Sequence, residues 1–268
     1  MEPLELLFEP DGLPSADLPD ELAGLYGGPL GFDAPRLFAN FVATTDGVVA
    51  IPSIPNSNAL VAGDSDPDRF VIGLLRAFAD VVLIGAGVLA ASPTSTWRPD
   101  RVYPAAAEAY TDLRRRLGKS TEQPGVAVLT GHGSIDPSHP VLAAGAVVLT
   151  STSGAERLDG VLPDAATIVV VGDDAVLDPR AVVEALHARG ETLILSEAGP
   201  HTFGRLVGAG CVDELFLTVS PLLAGDRGQA TRFGLVESVE LMPPGVREQL
   251  LGVRRHGDYL FLRYGIGR

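Results

Sequence analysis

The strongest constraint on this chain is a repeated unit in which an amphipathic helix pattern runs directly into a short, wholly apolar run. DPDRFVIGLLRAFA (66–79) places Val71, Leu74, Leu75 and Phe78 at helical spacing, with Asp66 positioned to cap it and Pro67 in its first turn. DVVLIGAG (80–87) follows without a linker. DPRAVVEALHARG (178–190) repeats the logic with Asp178 as cap and Gly190 as stop, and leads into TLIL (192–195). Between them lie PAAAEAYTDLRRRLG (104–118), helical and closed by Gly118, and the apolar runs VAVLT (126–130), AVVLT (146–150) and TIVVV (167–171). Strands apolar on both faces need cover on both faces, so the expectation is a three-layer α/β/α fold around a mostly parallel sheet. RLFANFVA (36–43) opens the series. ELFLTVSP (214–221), VREQLLGVRR (246–255) and DYLFLRYG (258–265) leave little room for helices between them, which predicts antiparallel C-terminal strands. Residues 1–35 are expected to form an irregular arm, and 36–268 a single domain.

Composition narrows the partners. The 268 residues carry 34 acidic against 20 basic side chains, a net charge of −14. That opposes binding to nucleic acid or an anionic membrane and leaves a small molecule as the expected ligand. Lys119 is the only lysine and Cys211 the only cysteine, so no internal disulfide or thiolate metal site is expected. The first ten residues, MEPLELLFEP, carry acids where a signal peptide needs bases, and VVLIGAGVLAA (81–91) is too short to span a bilayer. The expectation is a cytoplasmic protein. His132, His139, His187, His201 and His256 show no metal-binding spacing.

Three loops follow the C-terminal ends of expected parallel strands, where open α/β sheets gather ligand contacts. They are TTDG (44–47), GAGV (85–88) and EAGPHTFG (197–204). Glycines there admit close backbone approach, and a helix start beyond each offers N–H groups to phosphate. Glu197 stands either as a capping acid or as a ligand-facing one. Arg69 and Arg76 share a helical stripe that Gly73 leaves open, which suits a phosphate or carboxylate as well as ordinary salt bridges. Trp97 is expected near the pocket.

In order, NFVATTDG (40–47), DRFVIGLLRAFADVVLIGAG (68–87), VLT (128–130) and SEAGPHTFGRLVGAGCVDELFLTVSPLLAG (196–225) resemble the reductase domain of the bifunctional riboflavin-biosynthesis deaminase-reductases. That domain is a branch of the dihydrofolate-reductase-like superfamily, and the zinc signature of the deaminase half is missing here. The resemblance implies a reductase with NADPH as donor and a ribosylamino-pyrimidine phosphate as acceptor, and it implies a homodimer. It places Ala43, Thr44, Gly85, Gly87, Val88 and Thr130 at the cofactor. Gly199, Pro200, His201, Thr202, Phe203, Gly204 and Arg205 would hold the pyrophosphate. Glu197, as the catalytic residue, with Arg76, Arg98 and Asn58 would face the substrate, while Asp46 and Gly47 shape the loop over the nicotinamide. Two positions depart from the family pattern. Val88 replaces a threonine, and GHGSID (131–136) lacks the arginine suited to the 2′-phosphate of NADPH, which leaves the choice between NADP and NAD open. A reductase of dihydrofolate or another dihydropterin, and a non-catalytic binding protein with a weakened cofactor site, are the other two readings.

Overall fold

Runs such as Val81–Gly85 have no polar face to give to water, so the backbone can satisfy itself only inside a sheet covered on both sides. The computed structural model describes every residue of the chain except 55, 226, 227, 229, 230 and 268. Its strands are β1 (Glu5–Phe8), β2 (Arg36–Thr44), β3 (Val81–Gly85), β4 (Gly125–Thr130), β5 (Val147–Ser151), β6 (Thr167–Gly172), β7 (Leu193–Ser196), β8 (Glu214–Ser220), β9 (Glu248–His256) and β10 (Tyr259–Ile266). They form one sheet in the order β1-β9-β10-β8-β2-β7-β3-β4-β5-β6. From β8 to β6 every neighbouring pair is parallel. β10, β9 and β1 extend the sheet antiparallel, as the change of pattern after residue 214 predicts.

The period of two along each strand sorts the core into two layers. Phe38, Val82, Ile84, Val128 and Leu195 pack on one face with Leu74, Phe78 and Tyr110. Leu37, Ala39, Leu83, Ala127 and Ile194 pack on the other with Val182, Leu186, Phe203 and Leu206. The helix Asp66–Phe78 therefore lies on the first face, and the helices Pro179–His187 and Pro200–Gly208 on the second.

At one end of the parallel strands, Asp80 ties three segments together. Its carboxylate accepts Lys119 Nζ at 2.6 Å, and the backbone N–H groups of Thr192 and Leu193 at 2.9 and 2.8 Å. The starts of β3 and β7 are thereby fixed relative to each other. Two local readings change. The cap of the helix Asp66–Phe78 is Ser65, whose hydroxyl accepts from Asp68 N, rather than Asp66. Gly73 does not leave an open groove, because the Tyr110 ring fills the space and its hydroxyl donates to Phe70 O at 2.9 Å. Trp97 is buried against His139.

The N-terminal arm is not irregular. β1 pairs with β9, and the helix Asp20–Tyr26 ends on Gly27 at φ 75°. Leu4, Leu18, Leu22, Tyr26 and Leu30 belong to the same core as β2 and β3. Two buried arginines hold the arm. Arg254 donates to Tyr26 O and Glu9 and lies 3.9 Å over the Tyr26 ring. Arg263 bridges Glu214 and Gly31 O. A four-residue strand is too short to show a period, and its partner stands about 250 residues away in sequence. Residue 268, counted in the expected domain, lies outside the described residues.

Candidate active site

Parallel strands end on a common edge, and here that edge carries Thr44, Gly85, Thr130, Ser151, Ser196 and Ser220. The residue after β7 is Glu197, whose N–H donates to Leu83 O of β3 at 3.0 Å. Its carboxylate is met by Arg76 from the helix Asp66–Phe78, with Nε to Oε1 at 2.7 Å and Nη2 to Oε2 at 2.6 Å. The two side chains are 9% and 13% exposed, so this bidentate pair is nearly out of water. Two predicted substrate residues far apart in sequence thus become one unit. Arg76 is occupied by Glu197 rather than free to grip a phosphate.

A third ionisable group belongs to this unit and is absent from the sequence expectations. Asp68, one turn into the same helix, is 3% exposed. Burial pushes its carboxyl up from the usual 3.8 to about 6; the Glu197 carboxylate adds to the rise, and the Thr218 hydroxyl and Arg69 oppose it. Thr218 is itself buried on β8. An acid in the first turn of a helix has the sequence signature of a dipole partner, which conceals this role.

The glycine loops converge. A Cβ at Gly85 would lie 3.5 Å from Thr202 Oγ1, one at Gly199 would lie 3.7 Å from Val88 Cγ2, and one at Gly87 would meet nothing within 4 Å. The exits of β3 and β7 therefore lie against each other as a glycine-lined cradle, open beside Gly87. Gly85 caps a short helix, Ala86–Ala91, so GAGV is a helix start rather than a bare turn. In the helix Pro200–Gly208, Pro200 brings no N–H and Gly199 O already accepts from Thr202 and Phe203 N–H, which trims the amides left for a phosphate.

Other expected contacts go elsewhere. Phe203 is buried against Phe41, and a Cβ on Gly204 would collide with Glu237 O, because helical period turns both inward. His201 is hydrogen-bonded to Ser238 Oγ at 2.7 Å and packs on Phe233, while Arg205 is exposed. Ala43 is buried, and the Thr44 hydroxyl donates to Asp46. Thr130 is buried with its carbonyl taken by Thr150. Asn58 is exposed on the helix Ser57–Ala62. Arg98 is not brought to the pair. It forks onto Asp100 and lines an open depression of about 620 Å³ with Pro19, Asp112 and Arg115.

Asp46 shapes its loop as expected. It accepts from Thr44 Oγ1, Ala224 N and Gly225 N, and those bonds, the Thr44 hydroxyl first, hold its carboxyl down at about 2. Thr45 Oγ1 and N both reach Leu222 O, so the loops after β2 and β8 are clasped.

A parallel sheet whose strand exits carry a glycine cradle beside a buried ion pair and a buried acid has these groups on the edge where α/β enzymes bind their ligands. Comparison with known proteins gives the family. Residues 35–261 match the model of the RibD C-terminal domain, and the chain belongs to that family. It is 24% identical over 202 residues to 2,5-diamino-6-ribosylamino-4(3H)-pyrimidinone 5′-phosphate reductase of Archaeoglobus fulgidus, covering 74% of this chain and 85% of that one. Among solved structures it is similar to a pyrimidine reductase-like protein of Corynebacterium diphtheriae, with TM-score 0.64, 19% identity and coverage of 94% and 96%. It also resembles the bifunctional deaminase and 5-amino-6-(5-phosphoribosylamino)uracil reductase of Thermotoga maritima, with TM-score 0.63, 17% identity, and coverage of 87% of this chain and 57% of that one.

Proposed function

We propose that this chain reduces a ribosylamino-pyrimidine phosphate at the sugar C1 to the ribityl amine, with NADPH as donor. The observation that carries this reading is the Arg76–Glu197 pair, backed by Asp68, set beside the glycine cradle. A pyrimidine ring presents N–H groups along one edge, and a carboxylate pinned by a bidentate arginine is a fixed acceptor for them.

Reduction of an open-chain imine adds a hydride to carbon and a proton to nitrogen. The nicotinamide supplies the hydride when bound, held by Gly85, Gly87, Val88 and the Gly199–Thr202 start. The chain supplies orientation and the proton. Glu197 is held in one rotamer by Arg76 and fixes the ring. Asp68 keeps its proton to about pH 6 and is the group in the site suited to deliver one.

We take a two-fold homodimer and the cytoplasm as the setting, on the resemblance to the family. No helix among the described residues is long and apolar enough to cross a membrane.

The test is turnover of reduced nicotinamide with the phosphoribosylamino-pyrimidine. Wild type turns over, and Glu197→Gln loses roughly ten- to hundred-fold in kcat/KM with nucleotide affinity unchanged. Turnover of dihydrofolate alone would assign the site to a dihydropterin. Equal loss of nucleotide binding in Glu197→Gln would return Glu197 to a structural role.

A further inference from the structure

One buried histidine has no part in this reaction. His139 is 4% exposed and caps the short helix Pro140–Ala143, on the way from β4 to β5. Both ring nitrogens are engaged. Nδ1 accepts from Val141 N at 3.3 Å, and Nε2 lies 3.0 Å from Ser92 O. A backbone N–H only donates and a carbonyl only accepts, so the ring carries its hydrogen on Nε2 and donates it to Ser92 O. The imidazole thus ties together two segments 47 positions apart in sequence.

Ser92 ends the helix on which the cradle is built. Gly85 caps the start of the helix Ala86–Ala91, Gly87 and Val88 lie in its first turn, and Ser92 N–H closes it on Leu89 O. The Ser92 carbonyl then accepts twice, from Ser95 N at 3.0 Å and from His139. A helix of six residues has little stability of its own. β3 fixes one end of it, and His139 fixes the other.

The same ring supports the chain beyond. Trp97, 3% exposed, packs on His139 with ring centroids 5.9 Å apart. Its backbone stands at φ 50°, a left-handed conformation that a bulky residue keeps only where its surroundings hold it there. Arg98 and the helix Pro99–Val102 leave from this point. Tyr103, directly after that helix, meets Phe70 edge-on at 5.8 Å, and Phe70 belongs to the helix that carries Asp68 and Arg76. His139 therefore stands between two halves of the site, joined to the cradle through Ser92 and to the acid-bearing helix through Trp97.

We propose that His139 is a positioning residue for nucleotide binding, its Nε2–H holding Ser92 and, through the helix Ala86–Ala91, the cradle glycines. It rests on the reductase reading and adds to it a side chain that acts on the cofactor only through another segment.

The experiment compares wild type, H139N and H139Q. The asparagine oxygen replaces Nδ1 and keeps the cap on Val141 N, with no donor in reach of Ser92. The glutamine nitrogen replaces Nε2 and keeps the Ser92 bond, with the cap lost. Calorimetric titration with NADPH and NADH, steady-state turnover of the phosphoribosylamino-pyrimidine and emission of Trp97, the only tryptophan, are read on all three. H139N weakens both nucleotides and raises the nucleotide KM about three- to tenfold, while kcat and the KM for the pyrimidine stay unchanged. Its Trp97 emission moves to longer wavelength. H139Q restores nucleotide affinity and emission to wild-type values, although the lost cap lowers its Tm. Wild-type nucleotide affinity in folded H139N overturns the proposal, and so does an equal loss in H139N and H139Q, which makes His139 a residue of the fold alone. An H139N chain that does not fold overturns it on the same ground. Wild type that binds neither nucleotide overturns the reductase reading and this proposal with it, whereas binding that H139N leaves unaltered overturns the proposal alone.

Discussion

A carboxyl group stripped of water without a cation of its own keeps its proton, and Asp68 is such a group in the folded chain. Its folded pKa lies above the unfolded value, so its contribution to stability is fully present below pH 3.8 and is lost as pH rises through about 6. Asp68→Asn removes this dependence, and the difference in unfolding free energy between variant and wild type grows by about 3 kcal/mol across that window. Urea titration at intervals of pH checks it. The same substitution flattens the limb near pH 6 in the kcat/KM profile, because the variant has no carboxyl to deprotonate. Glu197 and Arg76 were legible in the sequence because SEAGPHTFG and the Arg-bearing helix are family motifs. Their mutual pairing was not legible, since no local pattern links residues 121 positions apart. Asp68 was hidden by chemistry: two acids flanking a proline at a helix start look like helix-dipole partners, and only burial separates Asp68 from Asp66.

The helix Pro200–Gly208 is seated by its glycines. Gly204 abuts Glu237 O and Val239, and Gly208 abuts Val239, so the 233–239 segment lies flat on that face. Gly204→Ala forces the segment away and costs about 1–3 kcal/mol, read as a lowered Tm. The sequence marked this helix correctly from Gly-Pro onward, and assigned all seven residues from Gly199 to Arg205 to a ligand. The structure divides them by helical period, with Phe203 and Gly204 inward and Thr202 toward Gly85. Periodicity shows that a helix has two faces, but it does not show which face the rest of the chain covers. The short helix after β5 was missed for a related reason: seven residues do not establish a period.

The family match begins at residue 35, yet the core does not. Leu22, Tyr26 and Leu30 are as buried as the strands they pack against, and Arg254 is the buried post to which the arm is tied. Arg254→Ala leaves Glu9 and Tyr26 O without their donor and costs about 3 kcal/mol. Limited proteolysis then cuts within residues 9–30 before the rest of the chain, whereas wild type resists there. Alternation of helix and apolar run made the parallel sheet legible across its whole width, since each unit carries its own signal. The arm carries none, because what holds it is a pair of arginines at the other end of the sequence. The Asp80 tie has a further consequence, for chemistry done on the protein rather than by it. Lys119 is the only lysine, and its ammonium is 11% exposed and held by Asp80. Acylating reagents aimed at side-chain amines find one target, and that target is masked while β3 and β7 stay in register. The rate at which Lys119 takes up such a label is therefore a built-in clock for the opening of the sheet at its centre.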